Sequence, residues 1–117
     1  MPGLSRRKIW KGKMKMPLND KILSIGDIQK AIIPLASEFF IDEVYIFGSY
    51  ARGEADVDSD IDILVIGGKH FKSTNIFAFA HRLRKMLNKP VDAFEIREVN
   101  TGTAFYDSVM KERVRIA

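Results

Sequence analysis

Two small groups of residues in this 117-residue chain have the types and spacing for chemistry on a phosphate. The first is Gly48-Ser49, following the apolar run Tyr45-Ile46-Phe47, and the second is Asp60-Ile61-Asp62, ten residues further on. Asp62 apart, residues 61–66 are apolar and rich in β-branched side chains, which reads as a strand. Alternation along it puts Asp60 and Asp62 on one face and Ile61, Ile63 and Val65 on the other. The two carboxylates then stand about 6.6 Å apart along the strand and repel unless a positive charge lies between them. Hard oxygen donors of this kind suit Mg²⁺. Read alone, a bare Asp-x-Asp is also an ordinary solvated strand start. Gly48 can take a positive φ and lets the backbone come close to a ligand. Ser49 can cap the helix behind it, with its hydroxyl and neighbouring N–H groups facing any anion placed there. A phosphate cradle beside a metal-binding carboxylate pair is the layout that phosphoryl or nucleotidyl transfer requires.

Two competing motifs fail on their own terms. Gly48 and Gly53 have P-loop glycine spacing, but Glu54 and Ala55 stand where Lys and Ser or Thr are needed. Asp56-x-Asp58-x-Asp60 begins like a calcium loop, but Ile61 replaces its glycine and Gly67 its closing glutamate.

The run Phe47-Gly48-Ser49-Tyr50-Ala51-Arg52-Gly53-Glu54-Ala55, with Ser59-Asp60-Ile61-Asp62-Ile63-Leu64-Val65, resembles the signature of the DNA-polymerase-β-like nucleotidyltransferases. Its wording is similar to their smallest branch, the minimal nucleotidyltransferases. The specific match covers about a fifth of the chain, and a weaker likeness runs from about residue 25 to the end. The resemblance implies a small mixed β-sheet flanked by helices, an α/β (α+β) fold. It also implies two Mg²⁺ ions on Asp60, Asp62 and a third carboxylate, with ATP as substrate and the β,γ-phosphates on Gly48 and Ser49. Asp92 fits the third place, because it opens the remaining apolar strand and stands where the family has one; it would complete the metal site and help activate the nucleophile. Glu95, three residues on, points to the opposite face. Arg52 either contacts phosphate or pairs with Glu54 or a loop aspartate to order the turn.

Larger members of that family carry a domain that selects the acceptor. About fifty residues follow Asp62 here, and finishing the core uses them. The expectation is a catalytic module whose acceptor comes from a partner. Minimal nucleotidyltransferases pair with a small helical HEPN-domain toxin and transfer AMP from ATP to a toxin tyrosine, so the resemblance implies an antitoxin of that kind. Two other readings stay open: a binding-only antitoxin, and transfer to a small molecule such as an aminoglycoside on a homo-oligomer that completes the pocket. Nucleic acid is not the expected direct substrate.

The elements that must position these residues can be read in order. Ser24 and Asp27 make a capping box for a helix over about 25–40, with Ile25, Ile28, Ile32, Leu35 and Phe39 along its apolar side. Pro34 inside it should kink or split it. Glu43–Phe47 is the first strand, 48–52 a short helix, 53–59 a loop and 60–66 the second strand. Ser73 or Thr74 caps the next helix, with Ile76, Phe79, Ala80, Leu83, Met86 and Leu87 facing the core and Arg82, Arg84, Lys85 and Lys89 solvated; Pro90 ends it. His81 has no motif around it. Val91–Ile96 is a third strand, Thr103–Lys111 a helix, and 114–116 a short extended close.

Length predicts one domain, over 17–117. The formal charge of +4 is concentrated in the first sixteen residues, which hold Arg6, Arg7, Lys8, Lys11, Lys13 and Lys15 and no acid. Thirteen basic and fifteen acidic side chains follow, so the body is slightly acidic. The stretch 1–16 reads as a disordered basic extension; Trp10, unusual for pure disorder, leaves open a contact with nucleic acid or an acidic partner. There is no cysteine, hence no disulfide framework, thiolate metal site or cysteine nucleophile. No apolar run approaches the ~18 residues of a membrane span and no signal peptide is visible, which predicts a cytoplasmic protein.

Overall fold

The computed structural model describes residues 22–117, so the basic stretch 1–16 and its Trp10 lie outside the described residues. The elements run α1 (Ile25–Glu38), β1 (Ile41–Phe47), α2 (Gly48–Ala51), β2 (Ile61–Gly67), α3 (Asn75–Leu87), β3 (Val91–Glu95), a 3-10 turn (Ile96–Glu98), α4 (Ala104–Glu112) and β4 (Val114–Arg115). The four strands lie in the order β3-β2-β1-β4. β1 is antiparallel to both β2 and β4, while β2 and β3 are parallel. A parallel pair needs a crossover, and α3 supplies it.

Strand alternation divides the sheet into two unlike faces. Val44, Ile46, Ile61, Ile63, Val65 and Val91 pack with α1 and α3 into the larger core. Phe47 and Leu64 point the other way, into a smaller cluster with Val99 and Val109 that Tyr45, Phe94, Ile96, Tyr106 and Met110 border. Asp62 and Asp92 share the alternation of Leu64 and Phe94, so they belong to this second, thinly covered face.

The capping box forms as expected: Ser24 Oγ accepts from the Asp27 N–H at 3.0 Å and Asp27 Oδ2 from the Ser24 N–H at 3.4 Å. Pro34 does not split α1, whose assignment is continuous to Glu38. Pro34 and Lys30, whose carbonyl loses its partner, are both exposed, so water can satisfy that carbonyl. Thr74 precedes α3 without a side-chain cap, and the helix ends on Asn88 in the left-handed conformation (φ 54°) before Pro90 is reached. Met86, expected in the core, is 53% exposed. Lys89 departs furthest from expectation. It is buried rather than solvated, because the chain has already left the helix at Asn88 and turned its side chain inward.

Candidate active site

The site is built where β1, β2 and β3 bring their ends together. In register, Phe47 opposes Asp62 on one side, and Asp62 opposes Asp92 on the other. Adjacent strands are about 4.8 Å apart, so Asp62 and Asp92 are immediate neighbours on the same face. The Ile61 N–H donates to the Pro90 carbonyl at 3.0 Å, which pins the start of β2, and Asp60 just before it, to the entry of β3. Asp60, Asp62 and Asp92 are all half-buried.

After Phe47 the chain turns through Gly48 at φ +75°. A Cβ there would lie 2.2 Å from Asp62 Oδ2. Glycine is therefore required twice, by the backbone conformation and by the carboxylate that presses against it. This contact joins the glycine-serine turn to the aspartate pair; ten residues of intervening chain serve to return the backbone to it. Ser49 is half-buried in the first turn of α2, and its carbonyl accepts from the Glu54 N–H at 2.9 Å.

Arg52 is occupied. Its Nε donates to Glu54 Oε1 at 2.8 Å, and its Nη1 donates to both oxygens of Glu112 at 3.2 Å. The hydrogen bonds to Glu54 and then Glu112 raise its pKa above the ordinary arginine value. Of the roles open to Arg52 in the sequence, the structure displays pairing with Glu54, and it adds a partner that the sequence reading missed. Glu112 also accepts from the Gly48 N–H at 2.9 Å. One signal could have drawn attention to it: an acidic residue at a helix C-terminus is opposed by the helix dipole, so it needs a compensating donor.

The loop between the turn and the aspartates is braced from within and from behind. Asp56 Oδ1 accepts from the Asp58 N–H at 2.9 Å and from Ser59 Oγ at 3.2 Å. Lys89 is 2% exposed and its Nζ donates to the Val57 carbonyl at 3.0 Å. Glu95 lies on the opposite alternation from Asp92, buried and bound to Arg97 Nε at 2.7 Å, where it caps the 3-10 turn. His81 is exposed on α3, the helix that packs against the other face.

The carboxylates are flanked by three rings. Phe47, Phe94 and Phe105 have centroids 5.7 to 6.0 Å apart. Phe47 adjoins Gly48 and opposes Asp62, and Phe94 is two residues beyond Asp92 on the same face. The donor chemistry of Asp60, Asp62 and Asp92 fits a hard divalent cation. As the side chains stand, no three His, Cys, Asp or Glu groups among the described residues are gathered into a set that could hold an ion. No helix among them is long and apolar enough to cross a membrane.

Residues 30–116 match the family described as the nucleotidyltransferase domain. The chain is 31% identical over 94 residues to the Methanocaldococcus jannaschii protein named "Putative protein adenylyltransferase MJ0435", covering 80% of this chain and 99% of that one. Among solved structures, it superposes on a chain of a toxin–antitoxin crystal structure with AMP-PNP at TM-score 0.65 and 25% identity, covering 76% of this chain and 72% of the other. It also shares its fold, at TM-score 0.61 and 22% identity over 80% of this chain and 71% of the other, with a chain of the tri-AMPylated Shewanella oneidensis HEPN toxin in complex with MNT antitoxin.

Proposed function

This chain belongs to the nucleotidyltransferase domain family, and on that premise we propose that it is an antitoxin that transfers AMP from ATP to a tyrosine hydroxyl of a helical HEPN-domain toxin in the cytoplasm. Residues 17–117 act as one catalytic domain in this reading. The observation that carries it is the contact of Gly48 with Asp62, by which the glycine-serine turn lies directly against the carboxylates. The toxin–antitoxin structure with AMP-PNP and the complex with a tri-AMPylated HEPN toxin support the choice of nucleotide and partner.

In the reaction, the tyrosine oxygen attacks the α-phosphorus of ATP. The bond from that phosphorus to the β-phosphate bridge oxygen breaks, and pyrophosphate leaves. Gly48 and Ser49 hold the β,γ-phosphates, the glycine by allowing close backbone approach and the serine through its hydroxyl. Asp60, Asp62 and Asp92 are the residues that would hold Mg²⁺, two ions in this reading, and the metal would supply positive charge against the triphosphate and the attacking oxygen. Asp92 stands beside Asp62 and receives the hydroxyl proton. The paired Arg52 orders the turn.

The direct experiment is intact-mass analysis of the co-expressed helical partner after incubation with this chain, ATP and Mg²⁺. Mass gains in AMP steps are expected, and Asp62→Asn should slow them at least about a hundredfold, or about 2.7 kcal/mol of transition-state stabilisation. Transfer at near wild-type rate in Asp62→Asn would remove the carboxylates from the mechanism. A tight complex without mass gain would point to a binding-only antitoxin, and turnover on a free small acceptor to small-molecule transfer.

A further inference from the structure

The turn that carries Gly48 and Ser49 has little to stiffen it from within. Helix α2 is four residues long, too short to hold itself together. It is bounded by two glycines in the left-handed region, Gly48 at φ +75° and Gly53 at φ +72°. Buried Tyr50 fastens its middle to the core. The end that faces Asp62 is fastened by a side chain 64 residues away in sequence, that of Glu112.

Glu112 is the last residue of α4, where the helix's own partial negative charge disfavours a carboxylate. Its side chain is 24% exposed, so it has also given up much of its water. Both costs are offset by the turn itself, through the Gly48 N–H at 2.9 Å and Arg52 Nη1 at 3.2 Å. These are charge-assisted bonds, stronger than neutral ones. Arg52 is further steadied by Glu54, so one carboxylate and one guanidinium span the turn from its first residue to its helix C-cap.

We propose that Glu112 is a positioning residue for nucleotide binding: it holds Gly48 and Ser49 in the conformation that meets the triphosphate beside Asp62. Arg52 is the secondary half of this strut, because the Gly48 amide is bound by Glu112 directly. The proposal rests on the nucleotidyl-transfer reading for what the turn binds, but the strut itself can be observed without substrate.

The test uses the full chain, with Glu112→Ala, Glu112→Gln, Arg52→Ala and the Arg52→Ala/Glu112→Ala double variant. Calorimetric ATP binding in Mg²⁺, steady-state AMP transfer to the partner, and hydrogen exchange at the Gly48 amide are measured for each. Glu112→Ala should weaken ATP binding and raise KM about tenfold, with kcat within about threefold, and speed exchange at Gly48. Glu112→Gln should recover most of the loss, because its amide oxygen still accepts from the Gly48 N–H. Arg52→Ala should do less than Glu112→Ala, and the double variant should match Glu112→Ala. The proposal is overturned if Glu112→Ala leaves ATP affinity and Gly48 exchange unchanged. It also fails if the double variant matches Arg52→Ala alone, which would make Glu112 a mere partner of the arginine. Tighter ATP binding in Glu112→Ala would overturn it too, showing that the carboxylate competes with the triphosphate. If the wild-type chain binds no ATP while Glu112→Ala still frees the Gly48 amide, the strut stands and the transfer reading falls.

Discussion

The two faces of the sheet do different work. One is covered by α1 and α3 and buries aliphatic side chains from every long strand, with Ile28, Ile32, Val44, Ile46, Ile61, Ile63, Val65, Phe79 and Leu83 wholly out of water. Among the described residues, the other buries only Phe47, Leu64, Val99 and Val109, under α4 and the 3-10 turn. On the first face a carboxylate needs a partner to neutralise it, as Arg97 does for buried Glu95, a cost that Asp62 and Asp92 side by side avoid by lying on the other face. On the second face they stay half-buried at the open end, next to a turn and a ring cluster. On the proposed function, stability and chemistry thus fall on opposite sides of the same strands, residue by alternate residue.

This separation can be broken experimentally, and the largest effect should come from the packed face. Phe79 is fully buried and meets Phe39 edge-on, so Phe79→Ala should cost about 3–5 kcal/mol of stability in a thermal or urea melt. Below its lowered Tm, Phe79→Ala should keep a kcat close to wild type, whereas Asp62→Asn should lose activity while the chain stays folded. A Phe79→Ala chain that is fully folded but inactive would show that the faces are not independent.

Gly48→Ala probes the junction between turn and carboxylate. The left-handed backbone alone costs an L-residue about 1–2 kcal/mol. The new methyl must also displace the Asp62 carboxylate. A lower Tm is expected together with at least about a tenfold drop in AMP transfer, whereas Gly53→Ala, with open space at its Cβ, should show the backbone cost alone.

The smallest effect belongs to the ion pair between the two covering helices. Arg82 Nη1 donates to Glu38 Oε2 at 2.7 Å, and that bond lowers the Glu38 pKa below its ordinary 4.5. A depressed carboxylate pKa adds stability that is present above the ordinary value and is lost as pH falls through the folded-state value. Glu38→Gln should therefore melt slightly below wild type at pH 7, with the gap closing as pH falls through the lowered Glu38 pKa, and with no change in transfer activity at pH 7. Both partners are solvent-exposed, so the difference should shrink in high salt.

The sequence by itself determined much of this arrangement, because the determinants are local. Period-two alternation set which face Asp62 and Asp92 share and turned Glu95 to the other side. The capping box at Ser24 and the run of β-branched residues after Asp60 marked their elements for the same reason, since each depends on neighbours within a turn or a strand. Glu112 and Lys89 were not legible that way. A carboxylate 64 residues from Gly48, and an ammonium 32 residues from the Val57 carbonyl, acquire their roles only when α4 and the end of α3 pack beside the turn and its loop. Pro34 taught the converse: its local cost was readable, but whether water could absorb it depended on which side of α1 the core took. Periodicity reports which way a side chain points, while its partner is decided by the packing of distant segments, and in this protein that packing is what braces the site.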